Sequence, residues 1–291
     1  MSSSSFFKYL FILGIIFFFY ACSKEEDDDE YVVTKKHFPE TKDNEKNEDG
    51  GEDDENNITF FHSKYIIAHR GFHDRIVPEN SRESLSRALD LNIYGTEFDV
   101  WLTKDSIMVI YHNDTYHGMV ITKSTYEELS QFSLSNGEPF PLLEDFLMIK
   151  KEKGTNVKLI IEIKNCNISD LITLVDKYDL QDEVEYISMK TSFCNQLVNL
   201  GYGYKTYYVG GRLEPEKIKE LNYGGIDYNY TYYEANENWI ADAKALDLKT
   251  IVWTINDMEK LKDFVQKEVI VTTNYPQKGY EIEKKLFWEQ N

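Results

Sequence analysis

Residues 66–71 read IIAHRG: a short apolar run passes without a turn into His69 and Arg70. Such a run, bounded by loop residues, is a buried strand, so a proton carrier and a planar anion clamp stand side by side where it ends. Outward from this stretch, short β-branched or aromatic runs alternate with amphipathic helical patterns, which is how a parallel α/β sheet reads in sequence. The runs are 65–69 (YIIAH), 95–102 (GTEFDVWL), 157–164 (VKLIIEIK), 183–189 (EVEYISM), 205–210 (KTYYVG), 225–231 (GIDYNYT), 249–255 (KTIVWTI) and 269–273 (VIVTT). Helical patterns lie between them at 81–90, 142–151, 168–178, 192–200, 216–221, 236–246 and 258–266. Eight strands alternating with helices predict a TIM-type (β/α)8 barrel.

The run 107–112, IMVIYH, is separated from the second strand by four residues only, 103–106. A parallel crossover needs a dozen or more, so this pair is an antiparallel hairpin, and it returns His112 to the neighbourhood of Glu97 and Asp99. Residues 115–141, with Gly118, Gly137, Pro139 and Pro141, form an excursion before the third barrel strand.

The 291-residue chain has a formal charge of −19, of which residues 23–57 and 58–291 each carry −10. An acidic protein gains nothing from counterion release, which argues against a nucleic-acid partner. Lys8 precedes a 13-residue apolar run, too short to span a bilayer and suited to a signal peptide over residues 1–21. The run ends FFYAC, similar to the lipobox in which the cysteine, here Cys22, is lipidated. The acidic run SKEEDDDE behind it resembles a surface-export signal. Residues 22–57 then read as a flexible acidic tether, and 58–291 as the folded domain of a lipoprotein anchored at a bacterial outer membrane.

In GTEFDVW, Glu97 and Asp99 are two apart and share a strand face, as do Glu162 and Lys164 in LIIEIK. Two carboxylates facing a barrel interior cost several kcal/mol each unless a cation lies between them. Three carboxylates without a Cys or His cluster make a hard, all-oxygen set suited to Mg²⁺ or Ca²⁺. His69 and His112 are the natural acid and base, and Arg70 and Lys164 match the oxygens of a phosphodiester. Glu79 is a candidate outer contact to metal or substrate. Trp253 either stacks on substrate or fills the barrel. Asn80 and Glu83 have capping-box spacing, so Asn80 is expected to start a helix. His62, His73 and His117 fall in loops and are expected at the surface or rim. Cys166 and Cys194 are read as structural, and the tyrosines of DYNYTYY as core and rim.

HRG, PENS, GTEFDVW, VIYH, LIIEIK, TIVWTIN and VTTNYP, in this order over residues 65–276, resemble the glycerophosphodiester phosphodiesterase family. The resemblance implies a barrel in which Glu97, Asp99 and Glu162 hold one divalent cation, His69 is the general base, His112 is the general acid, and Arg70 and Lys164 bind phosphate. It implies cleavage of a small glycerophosphodiester to glycerol 3-phosphate and an alcohol, with the glycerol 2-hydroxyl as nucleophile. The chain departs from the family at Asn113, where Asp is usual after the second histidine. A lyase that stops at the cyclic phosphate, and a silent lipoprotein that binds phosphate esters, are alternatives built on the same residues.

Overall fold

The computed structural model describes residues 61–289. The signal peptide, Cys22 and the acidic tether lie outside the described residues. In chain order the elements are β1 (Ile66–Ala68), α1 (Arg82–Leu89), β2 (Gly95–Leu102), β3 (Met108–Ile110), β4 (Thr115–Tyr116), β5 (Met119–Val120), α2 (Tyr126–Leu129), α3 (Leu143–Lys153), β6 (Lys158–Asn165), α4 (Ile168–Lys177), β7 (Val184–Ser188), α5 (Thr191–Asn199), β8 (Thr206–Tyr208), α6 (Pro215–Glu220), β9 (Gly225–Asn229), α7 (Tyr230–Ala235), α8 (Trp239–Ala245), β10 (Lys249–Trp253), α9 (Met258–Gln266), β11 (Ile270–Thr273) and α10 (Pro276–Phe287). Eight parallel strands, β1, β2 and β6 to β11, pair in sequence order, and β1 closes the barrel by pairing with both β2 and β11. The hairpin is antiparallel, with Val100 opposite Ile110.

Strand alternation divides the apolar residues between two cores. Ile66, Ala68, Phe98, Val100, Leu159 and Ile161 face the helices, while Ile67, Ile160, Ile187, Tyr207, Ile251 and Ile270 fill the barrel. Each fully buried side chain of this size contributes about 1.5–3 kcal/mol. Phe98 also meets Phe146 of α3 edge-on at 4.8 Å, worth about 0.5–1.5 kcal/mol beyond area. The N-terminal end of the barrel is closed by Glu185, which accepts hydrogen bonds from Tyr94 Oη at 2.7 Å and from Lys158 and Lys249 Nζ at 2.8 Å. Charge is therefore compensated at that end, whereas Glu97 Oε1 and Asp227 Oδ1 are buried without partners. The excursion and β3 share a small core of Val109, Tyr116, Ile121, Leu129, Leu134 and Phe140.

Three local expectations are corrected. The cap of α1 is Ser81, whose Oγ accepts from Ser84 N–H at 3.0 Å while Ser84 Oγ accepts from Ser81 N–H at 3.1 Å. Asn80 precedes it in the left-handed region, φ 56°, so its side chain turns toward the barrel. The run GIDYNYT is strand only to Asn229, whose side chain accepts from Thr231 N–H at 3.1 Å and starts α7. The helix expected from 236 begins at Trp239.

Candidate active site

The C-terminal ends of β1, β2 and β6 and the return of the hairpin bring His69, Arg70, Glu97, Asp99, His112, Glu162 and Lys164 together. Arg70 holds φ 52°, which lets its backbone N–H reach Glu97 Oε2 at 3.0 Å while its guanidinium turns outward. Nη1 meets Glu79 Oε1 at 2.8 Å and Nε lies 3.6 Å from Asp99 Oδ2. Glu79 thus sits on the phosphate-binding candidate. Gly71 permits this turn, because a Cβ there would stand 2.4 Å from Ser84 Oγ.

Glu97 is 4 % exposed, and its Oε1 is buried with no hydrogen-bond partner. Burial, then the charges of Asp99 and Glu162, hold its carboxyl well above the usual range. Asp99 is also buried, yet Lys164 Nζ at 3.1 Å from Oδ1, Arg70, and an Asn80 Nδ2–H donated to Oδ2 at 2.8 Å bring it below that range. Glu162 is pushed up to about 7 by burial even though Lys164 Nζ stands at 2.7 Å. Lys164, between two carboxylates, is raised despite its burial. One oxygen from each of Glu97, Asp99 and Glu162 lies within 4.8 Å of the others. Oxygens bound to one Ca²⁺ at roughly 2.3–2.6 Å are at most about 5 Å apart. The spacing, the orphaned Glu97 oxygen and the all-oxygen donors therefore fit a hard divalent cation.

The two histidines are built alike. His69 Nδ1 is 2.7 Å from Asn274 Oδ1, and His112 Nδ1 is 2.9 Å from Asn113 Oδ1. An amide oxygen only accepts, so both rings carry Nδ1–H and leave Nε2 free. Asn113 thereby supplies the acceptor at the position where the sequence departs from its pattern. His69 Nε2 lies 4.0 Å from Glu97 Oε2. Burial and then Arg70 lower the His69 pKa to about 3. His112 is lowered by the same two causes but is less buried, and Asp99 opposes the shift. His69 is the firmly neutral ring and His112 the one more readily charged.

Trp253 packs on the barrel interior and donates from Nε1 to Asp227 O at 2.9 Å, so it fills the mouth while staying partly exposed. His117 stacks on Phe132 at 4.4 Å in the excursion, and His62 meets Asn92, both away from the carboxylates. His73, expected at the surface or rim, is half-buried in the loop between β1 and α1, with Nε2 buried. Asn80 and Asn274 were not legible as site residues, although PENS and VTTNYP had marked the stretches that hold them.

Asp227 is a further buried carboxyl. Tyr228 faces the outer core, so alternation points Asp227 into the barrel, where Oδ1 has no partner. Burial and the charge of Glu162 keep it well above the usual range. The folded state thus retains a proton that the unfolded state releases, and stability is lost as pH rises through the unfolded pKa toward the folded one. Each unit of separation is worth about 1.4 kcal/mol. Between pH 4 and 8 the urea midpoint of Asp227→Asn is expected to fall less steeply than that of the wild type; equal slopes would refute the assignment.

The model of the glycerophosphoryl diester phosphodiesterase family matches residues 69–278. A glycerophosphodiester phosphodiesterase of Caldanaerobacter subterraneus subsp. tengcongensis is 25% identical over 224 residues, covering 70% of this chain and 90% of that protein. The crystal structure of a glycerophosphodiester phosphodiesterase from Parabacteroides distasonis is 31% identical with a TM-score of 0.73, covering 78% of this chain and 99% of the other. An Oleispira antarctica phosphodiesterase, solved with its product sn-glycerol-3-phosphate, shares the fold at 22% identity and a TM-score of 0.66, over 75% of this chain and 96% of the other. With the barrel, the clustered carboxylates and a family match over most of the folded residues, this chain belongs to the glycerophosphoryl diester phosphodiesterase family.

Proposed function

We propose that the protein hydrolyses small glycerophosphodiesters to glycerol 3-phosphate and an alcohol. The observation that carries this reading is the pair of imidazoles with free Nε2 atoms beside three clustered carboxylates and two cationic side chains. Arg70 and Lys164 hold the non-bridging oxygens of the phosphodiester. His69 Nε2 takes the proton of the glycerol 2-hydroxyl as its oxygen bonds to phosphorus. His112 gives a proton to the departing alcohol oxygen as the old P–O bond breaks. In the second step water attacks the cyclic phosphate, neutral His112 takes the water proton, and charged His69 returns its proton to the 2-oxygen. Glu97, Asp99 and Glu162 would hold Mg²⁺ or Ca²⁺, which supplies Lewis-acid stabilisation of charge on the phosphoryl oxygens.

The leader sequence supports placement of this activity at the bacterial envelope, with Cys22 as the lipid attachment. The test is release of glycerol 3-phosphate by the purified protein from choline, ethanolamine, glycerol and inositol esters, each with Mg²⁺, Ca²⁺ or chelator. Cation-dependent release is expected. A cyclic phosphate as the end product would make the protein a lyase, and no turnover of any ester would leave a binding protein.

A further inference from the structure

The Arg70 fork is partly occupied before any phosphate arrives. Nη1 donates to Glu79 Oε1 at 2.8 Å, and Nε, buried without a hydrogen-bond partner, lies 3.6 Å from Asp99 Oδ2. The contact with Glu79 is built into the backbone. Pro78 fixes its own φ, Asp74 N–H donates to Val77 O at 3.0 Å, and Asn80 N–H donates to Arg70 O at 2.9 Å, so the chain on either side of Glu79 is tied down. Ser84 Oγ donates to the same Arg70 carbonyl at 3.2 Å. The Glu79 side chain is 43 % exposed, whereas Glu97 and Asp99 are buried. It therefore stands on the solvent side of the guanidinium, from which a ligand approaches.

A carboxylate at that point offers an anion no attraction. It repels one, in proportion to the anion's charge. A phosphodiester has a single ionisation and carries one negative charge. Cleavage turns it into a monoester, whose second ionisation at about pH 6 gives it close to two charges in neutral solution. The repulsion from Glu79 is then about twice as large for the product as for the substrate.

We propose that Glu79 is a charge-selecting residue: seated on Arg70, it makes the phosphate site favour a singly charged diester over a doubly charged monoester, and so weakens the hold on the product. The inference rests on the reading of Arg70 as the phosphate clamp, but its primary test needs no turnover.

The full-length protein with Mg²⁺ at pH 8 would be titrated calorimetrically with 3-hydroxypropyl phosphate and with its methyl ester, a dianion and a monoanion on one skeleton. Both lack the 2-hydroxyl nucleophile, so neither is consumed. Glu79→Gln keeps an acceptor for Nη1 and removes the charge. The methyl ester should bind this variant about 1.5- to 5-fold more tightly, the range for a partly exposed charge pair, and the monoester should tighten by the square of that factor. Product inhibition by glycerol 3-phosphate should strengthen as well. Equal factors for the two ligands, weaker binding of both, or no change in either would overturn the proposal and leave Glu79 at most as a support for Arg70. If the wild type binds neither ligand, the phosphate-site reading falls and charge selection falls with it. Square-law tightening in a protein that turns over no glycerophosphodiester would keep charge selection and remove the hydrolase reading.

Discussion

His112→Ala is expected to lower kcat for a choline or glycerol ester by about 10²–10⁴, the range for a positioned acid or base, while sparing most of the rate with a p-nitrophenyl leaving group. An alkoxide leaves poorly unless it receives a proton as the P–O bond breaks, whereas nitrophenolate leaves as the anion. His69→Ala should lose a similar factor with both substrates, because the nucleophile still has to be deprotonated. Equal sensitivity of the two variants to the leaving group would show that the acid and base are wrongly assigned. The pH profile adds a second reading. His69, near 3 in the free protein, is neutral throughout the working range, so the alkaline limb belongs to loss of the proton from His112. In the free protein His112 is pushed below the ordinary value by burial and then by Arg70. A bound phosphodiester anion answers the charge of Arg70, and the alkaline limb of kcat should therefore lie at higher pH than that of kcat/KM.

How much of this site could be read in the sequence follows from which side chains sit on regular elements. Glu97 with Asp99, and Glu162 with Lys164, were legible because a strand repeats every two residues and both pairs fall on the inward face. His112 was legible because four residues between two strand patterns leave only a hairpin, and Val100 opposite Ile110 is that hairpin. Asn274 lies just past the end of β11, where no period predicts orientation, and it meets His69 from two hundred residues away. Asn80 was misread because its spacing to Glu83 mimics a capping box, while Ser81 and Ser84 form the real one. What distinguishes them is the left-handed backbone at Asn80, which aims the amide at Asp99. The tyrosines after Asn229 favour strand by propensity, and a local cap overrides them.

Glu97→Gln is expected to remove cation dependence altogether, because Glu97 brings the oxygen that no protein group satisfies. The wild type gathers three carboxyls around one point, and two of them are held above the usual range by burial and by neighbouring carboxylates, Glu97 by Asp99 and Glu162, and Glu162 by Asp99. Without a cation this arrangement is costly. With one it becomes a binding site, and the cation stabilises the fold by about 2.7 kcal/mol at a hundred times its dissociation constant. Adding Ca²⁺ or Mg²⁺ to the chelated wild type should therefore raise Tm by several degrees. The amide of Glu97→Gln is isosteric and uncharged, so it relieves the repulsion while weakening the site. The variant should melt higher than the wild type in chelator, show little further rise with either cation, and lose nearly all glycerol 3-phosphate release. The crossing of the two melting orders separates a cation site from an ordinary barrel ion network. In such a network Lys164 and Arg70 would already compensate the carboxylates, loss of Glu97's charge would lower Tm under both conditions, and neither cation would shift the wild type.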